Sequence, residues 1–189
     1  MGSVDTSQFR KKLKLILDDG QPWVIVENDF VKPGKGQAFN RTKFKNLITG
    51  RVLDKTFRSG EVFQEADISA AQMQYLYTDG HAWTFMNTKD FEQVEVQKDI
   101  MEDAVKWIRE NDICEVQFWG ERVISVIPPT FVDLTVTYTE PAVRGDTANS
   151  VTKKATLETG AEIDVPMFID SGTKIKIDTR TGEYLQRTT

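Results

Sequence analysis

The chain has 189 residues, with 24 Lys+Arg, 29 Asp+Glu, a single histidine (His81) and a single cysteine (Cys114). One cysteine excludes an internal disulfide, and one His beside one Cys leaves no ordinary way to build a zinc cluster or a Cys/His or Ser/His catalytic pair. No stretch approaches the ~18 consecutive apolar residues of a membrane span, and no apolar signal segment opens the chain, so a cytoplasmic protein without membrane or metal is expected.

The net charge of −5 is unevenly spread. Residues 1–64 carry 12 Lys+Arg against 7 Asp+Glu, residues 65–130 carry 5 against 13, and residues 131–189 carry 7 against 9. The basic first segment can approach phosphates, while the acidic middle resists them and suits solvent or a basic protein. Carboxylates are plentiful but form no recognisable acid/base motif, so the composition points to a binder and not an enzyme.

In chain order, Met1–Thr6 reads as a loose start. Strands are expected at 13–17, 23–26, 38–45 and 52–57, with turns at Asp19-Gly20 and Thr49-Gly50. This set is large enough for a small SH3-like barrel, and Gly60–Glu65 reads as the boundary after it. Between the second and third strands stands Lys32-Pro33-Gly34-Lys35-Gly36-Gln37. Glycine permits positive φ and Pro33 fixes φ at the entry, so Lys35 is expected on a projecting tip with little around it. Alone, this string is an ordinary hairpin turn. Past it, Arg41, Lys43 and Lys45 alternate and therefore share one strand face, either a solvated face or a track for a phosphate backbone.

The second unit has strands expected at 73–77, 82–86, 113–119 and 123–127. A helix is expected over 99–109, with Asp99 as N-cap, Glu102 at the third helical position, and Met101, Val105 and Ile108 on its apolar stripe. Several strands with one inserted helix suit an OB barrel. Pro128-Pro129 opens the third unit, where 132–138 alternates and 162–165, 174–178 and 184–186 complete a second OB barrel. The domains are thus expected at 1–64, 65–129 and 130–189. Cys114 lies in an apolar run and reads as a buried small residue, and Trp23, Trp83, Trp107 and Trp119 read as core.

The run Val31–Leu47, with Lys55-Thr56-Phe57-Arg58 after it, resembles the bacterial translation elongation factor P family. So do Met73–Tyr77, Asp79-Gly80, Phe85-Met86, Phe91-Glu92-Gln93, Gly145–Ala148, Lys153–Gly160 and Val165–Ile169. One departure is the run Phe9-Arg10-Lys11-Lys12-Leu13, which has lysine where the family commonly has glycine, leaving the local turn open. The resemblance implies an all-β fold of three small barrels, SH3-like (KOW-like) then two OB folds, in an elongated L similar to tRNA. It also implies a monomer that binds the ribosome beside P-site peptidyl-tRNA and stimulates peptide-bond formation at stalled sites, notably consecutive prolines. The ribosomal and messenger RNA near the exit site would be further contacts.

By the same resemblance Lys35 is the residue modified, with β-lysine attached by a lysyl-tRNA-synthetase-like ligase in the branch the chain most resembles and a different lysine adduct in others, and no other cofactor is implied. Arg144, Gly145, Asp146 and Thr147 would form the loop that approaches the exit-site codon. Two other readings stay open: an elongation-factor-P-like paralogue, and a non-ribosomal RNA-binding or peptide-binding adaptor of β-barrels.

Overall fold

The computed structural model describes residues 2–101, 103–140 and 152–188. Strands dominate them, in three sheets. The first contains β1 (Ser3–Asp5), β2 (Lys14–Ile16), β3 (Pro22–Val31), β4 (Phe39–Asn46), β5 (Val52–Arg58) and β6 (Val62–Glu65), in the order β1-β6-β2-β3-β4-β5. The second contains β7 (Ile68–Thr78), β8 (Ala82–Asn87), β9 (Gln93–Gln97), β10 (Ile113–Trp119) and β11 (Arg122–Ile127), in the order β11-β10-β7-β8-β9. The third contains β12 (Phe131–Thr139), β13 (Thr152–Leu157), β14 (Glu162–Pro166), β15 (Lys174–Asp178) and β16 (Glu183–Arg187), in the order β14-β13-β12-β15-β16. The all-β architecture of an SH3-like barrel followed by two OB barrels is the one expected from the strand pattern and the resemblance. By compactness the chain divides into residues 1–70 with 117–125, and residues 71–116 with 126–189.

The first sheet is built around aromatics. Phe9, Phe44 and Phe57 meet edge-to-face at ring-centroid distances of 6.4, 5.9 and 5.7 Å, and Phe63 joins Phe57 at 4.9 Å. Val4, Leu13, Leu15, Leu17, Trp23 and Ile25 fill the rest of this buried core. Edge-on contact sets the positive rim of one ring against the negative face of the next. Burying each such side chain is worth about 2–3 kcal/mol. Thr6 closes the sheet: its N–H donates to the Glu61 carbonyl at 3.0 Å, and its Oγ1 donates to Arg58 and accepts from the Gly60 N–H.

Two expectations near this sheet are corrected. Residues 3–5 are not a loose start but β1, paired with β6 through Ser3–Gln64, Val4–Phe63 and Asp5–Val62, with Val4 buried. The segment read as a boundary, 60–65, contains β6, which also pairs with β2.

The helix is corrected too. Among the described residues of this segment only Lys98–Met101 is α-helical, and residues 103–107 are turns. Ala104 and Trp107 donate backbone bonds three residues back, to Met101 and Ala104, at 2.9 and 3.0 Å. The Val105 N–H also donates to the Met101 carbonyl, at 2.9 Å. Of the expected stripe, Met101 and Ile108 are buried and Val105 is exposed, while Ala104 and Trp107 are buried as well. Glu102, assigned a capping role, lies outside the described residues. Three of the four tryptophans are buried and Trp119 is partly so, in keeping with core packing. Burial, reinforced by the Asp112 charge, pushes the Cys114 thiol up to about 12, which makes it inert.

Candidate functional site

The longest hairpin of the first sheet presents the lysine. β3 and β4 pair from Trp23–Asn46 to Val31–Phe39, so residues 32–38 form the connecting loop. Both strands are rooted by the aromatic core through Ile25 and Phe44, and the Ala38 carbonyl accepts the Ser59 N–H at 3.1 Å. Gly34, Lys35, Gly36 and Lys32 are exposed, and Pro33 is half-buried. Gly36 takes φ of +117°, a conformation closed to side chains, with Pro33 Cγ 3.7 Å from where its Cβ would stand. The loop therefore needs glycine at one of the two positions beside Lys35. Among the described residues, Lys35 has no hydrogen-bonding or ionic partner.

The basic stripe has the face predicted for it but not the charge. Asn40, Thr42, Phe44 and Asn46 are buried, while Arg41 and Lys45 are exposed and Lys43 is half-buried. Residues directly opposite in an antiparallel pair share a face. Arg41 stands opposite Asp29, Lys43 opposite both Glu27 and Asp54, and Lys45 opposite Val24 and Val52. Lys43 Nζ lies 3.3 Å from Glu27 Oε2. Three carboxylates thus offset the stripe in its middle, and only Lys45 has no carboxylate across the ladder.

Beyond Lys45, Val24 also pairs with Lys14, so two cations flank one valine at the end of the sheet opposite the hairpin loop. Lys14 was missed by sequence reasoning. The signal was the hairpin register, which counting outward from the loop could have supplied.

The inner face beneath carries a polar network. Asn28 Nδ2 donates to Asn40 Oδ1 at 3.2 Å and Thr42 Oγ1 donates to Asn28 Oδ1 at 2.7 Å, while Asn40 Nδ2 is buried without a partner. Arg144, Gly145, Asp146 and Thr147, assigned to the codon-proximal loop, lie outside the described residues. No group of His, Cys, Asp and Glu among the described residues could hold a metal ion, and none of their helices is long and apolar enough to cross a membrane.

Three family models match the chain in succession: an elongation factor P KOW-like domain over residues 5–63, an elongation factor P OB domain over 68–126, and elongation factor P, C-terminal, over 132–187. The chain is 50% identical over 177 residues to elongation factor P of Magnetococcus marinus, which covers 94% of this chain and 95% of that protein. Among solved structures, a translation initiation factor 5A from Methanococcus jannaschii superposes with a TM-score of 0.53 at 18% identity, covering 67% of this chain and 96% of its own. A factor of the same family from Naegleria fowleri gives 0.50 at 13% identity, covering 67% and 97%. At those identities the likeness is one of fold.

Proposed function

The chain belongs to the elongation factor P family, translation elongation factors and not enzymes, and we propose that it binds the ribosome beside peptidyl-tRNA and restores peptide-bond formation at consecutive prolines. The observation that carries this reading is Lys35, exposed and unpartnered at the tip of a loop whose strands are rooted in a buried aromatic core.

The ribosome already supplies the chemistry, so a helper needs only to restrain the reacting ends. Proline reacts slowly because its ring restricts geometry, and misplacing the reacting atoms costs large factors in rate. A thin cationic finger beside the terminal tRNA nucleotides limits that misplacement, while the barrel behind it holds the finger still. Covalent extension of Lys35 by β-lysine suits the same role. Forming the amide removes one ammonium and the added group brings two, so the tip gains one charge and length. The protein is placed in the cytoplasm as a monomer, with the modifying ligase, ribosomal RNA and messenger RNA as its further partners.

The test is a Lys35→Ala variant in cells lacking the wild-type gene. Its melting temperature stays within about two degrees, as for a surface change, while synthesis through consecutive prolines falls to the level of the deletion. Rescue equal to wild type would remove Lys35 from the mechanism.

A further inference from the structure

The half of the β3–β4 hairpin nearest Lys35 has no apolar core of its own. The register shifts between Ile25 and Glu27, which leaves Val26 as an extra residue in β3. Such a bulge disrupts the ladder locally and bends the strand, so the core below it holds the register above it less firmly. Before the bulge Trp23, Ile25 and Phe44 are buried. Beyond it, among residues 27–31 of β3 and 39–43 of β4, only Asn40 and Thr42 are.

The two strands are not supported alike. β4 pairs with β5 from Phe39–Arg58 to Lys45–Val52. β3 loses its other neighbour, since β2 pairs with it only from Pro22 to Val24. The last backbone bonds on that side are those of Ile25, to Leu13 and Lys12, both at 2.8 Å. Among the described residues, 27–31 of β3 therefore pair with β4 alone.

Asn28 supplies what the backbone lacks. Its Oδ1 accepts from Thr42 Oγ1, directly opposite, at 2.7 Å. Its Nδ2 donates to Asn40 Oδ1 at 3.2 Å and, across the open edge, to the Phe9 carbonyl at 3.4 Å. These bonds are directional and are lost when the strands slip. The Lys43–Glu27 pair on the outer face is exposed and contributes little. Nor does the layer favour stability: Asn40 Nδ2 is buried without a partner, where an apolar side chain of similar size would cost less.

Register decides where Lys35 stands. One residue of slip turns the strand's side chains to the other face and moves it about 3.4 Å along its neighbour. An error of about 1 Å in placing reacting groups costs a factor of about a hundred in rate.

We propose that Asn28, Asn40 and Thr42 are positioning residues, which fix the register of the distal hairpin and with it the place of Lys35 beside the tRNA end. The inference rests on the reading of Lys35 as the working tip.

Hydrogen exchange on the purified protein reads the register without the ribosome. Asn40→Leu/Thr42→Val keeps the burial and removes the unpaired amide, so the melting temperature stays within about two degrees of wild type or rises. The amides joining 27–31 to 39–43 nevertheless exchange about tenfold faster, while those of 22–25 and 44–46 keep their protection. On ribosomes stalled at consecutive prolines, the variant lowers the maximal rate about tenfold and leaves the half-saturating concentration of factor near wild type. Thr42→Val alone gives both changes at smaller size, and Thr42→Ser, which keeps the hydroxyl, gives neither. Wild-type exchange in both valine variants overturns the proposal. So does faster exchange with an unchanged maximal rate, or a change in the half-saturating concentration alone. Failure of the tip reading shows differently: Lys35→Ala would then keep the wild-type rate, which overturns the inference whatever the exchange shows.

Discussion

Lys43 and Glu27 face each other across the β3–β4 ladder at 3.3 Å, with Asp54 opposite Lys43 on the other side, and this register leaves the middle of the basic strand face close to neutral. The cations free to meet phosphates on that face are displaced toward Lys45 and Lys14, and toward Lys32 and Lys35 in the loop. On the proposed ribosomal role, Lys45→Gln is expected to weaken ribosome binding and to lower the slope of log affinity against log salt by about one, the signature of one lost phosphate contact. Lys43→Gln changes the slope little, since its charge is already matched. Equal slopes for both variants would mean that the register does not govern the contact.

Lys12 carries backbone strain that can be relieved. It takes φ of +71°, with its N–H donating to the Ile25 carbonyl at 2.8 Å and the next N–H donating to the Arg10 carbonyl at 3.1 Å. The turn before β2 is fixed at both ends, so the side chain must accept the left-handed conformation. That conformation costs a non-glycine residue roughly 1–2 kcal/mol, partly offset by the greater freedom glycine loses on folding. Lys12→Gly should raise stability by about 0.5–1 kcal/mol, read as a higher denaturant midpoint at unchanged slope. Lys12→Ala is the control; if it stabilises as much, relief of φ is not the cause.

The strands whose positions were legible are those with clean alternation or long apolar runs. Residues 113–119 and 174–178 lie where expected to the residue, because alternate side chains there enter a core. Four strands escaped notice. β1 and β6 have three and four residues, too few for a period to show. β9 and β13 are mostly polar, although Val96, Ala155 and Leu157 are buried from them. The helix was over-read in length: Met101 and Ile108 of its stripe are buried and Val105 is exposed, while the chain leaves the α-helix for turns whose hydrogen bonds no apolar period announces. At the candidate site, the exposed lysine was legible because glycine and proline act locally. The neutralised stripe was not, because its carboxylates come from two other strands and only the register brings them opposite.

Asp178 makes part of the stability of the third sheet depend on pH. Arg180 donates from Nε to Oδ1 at 3.0 Å and from Nη2 to Oδ2 at 2.6 Å, and its own N–H also donates to Oδ1. These hydrogen bonds, the guanidinium's first among them, hold the Asp178 carboxyl below the usual carboxylate range. A depressed folded pKa contributes stability above the unfolded value, and that contribution is lost as pH falls through the folded value. The stability gap between wild type and Asp178→Asn is therefore widest at neutral pH and closes on acidification below the ordinary carboxylate range. A gap of constant size from neutral pH downward would assign the loss to packing instead.

Within the unit formed by residues 71–116 and 126–189, the segment 103–109 joins the second barrel to the third. The Trp107 ring lies 3.5 Å from where a Cβ on Gly182 would stand, in contact with the β15–β16 turn. Thr159 Oγ1 donates to the Lys106 carbonyl at 2.6 Å, and Arg109 Nη1 donates to Glu158 Oε1 at 3.2 Å. The same Glu158 oxygen accepts the Thr135 N–H at 2.8 Å, so the ion pair is anchored to the third sheet's own backbone. Glu158 is only partly exposed, and losing it leaves Thr135 without its acceptor, so Glu158→Ala costs about 1–2 kcal/mol. Trp107 is almost fully buried, and truncating such a side chain costs about 3–5 kcal/mol. Much of that loss falls on the joint, because the ring packs on a turn of the other barrel. Trp107→Ala is therefore expected to split the thermal transition of this unit, the second barrel melting before the third, where Glu158→Ala lowers the midpoint and keeps one transition. The measurement is calorimetry, comparing calorimetric with van't Hoff enthalpy, which agree for one cooperative unit and separate for two. A single cooperative transition in Trp107→Ala would show that the bonds of Thr159 and Glu158 hold the joint without the ring.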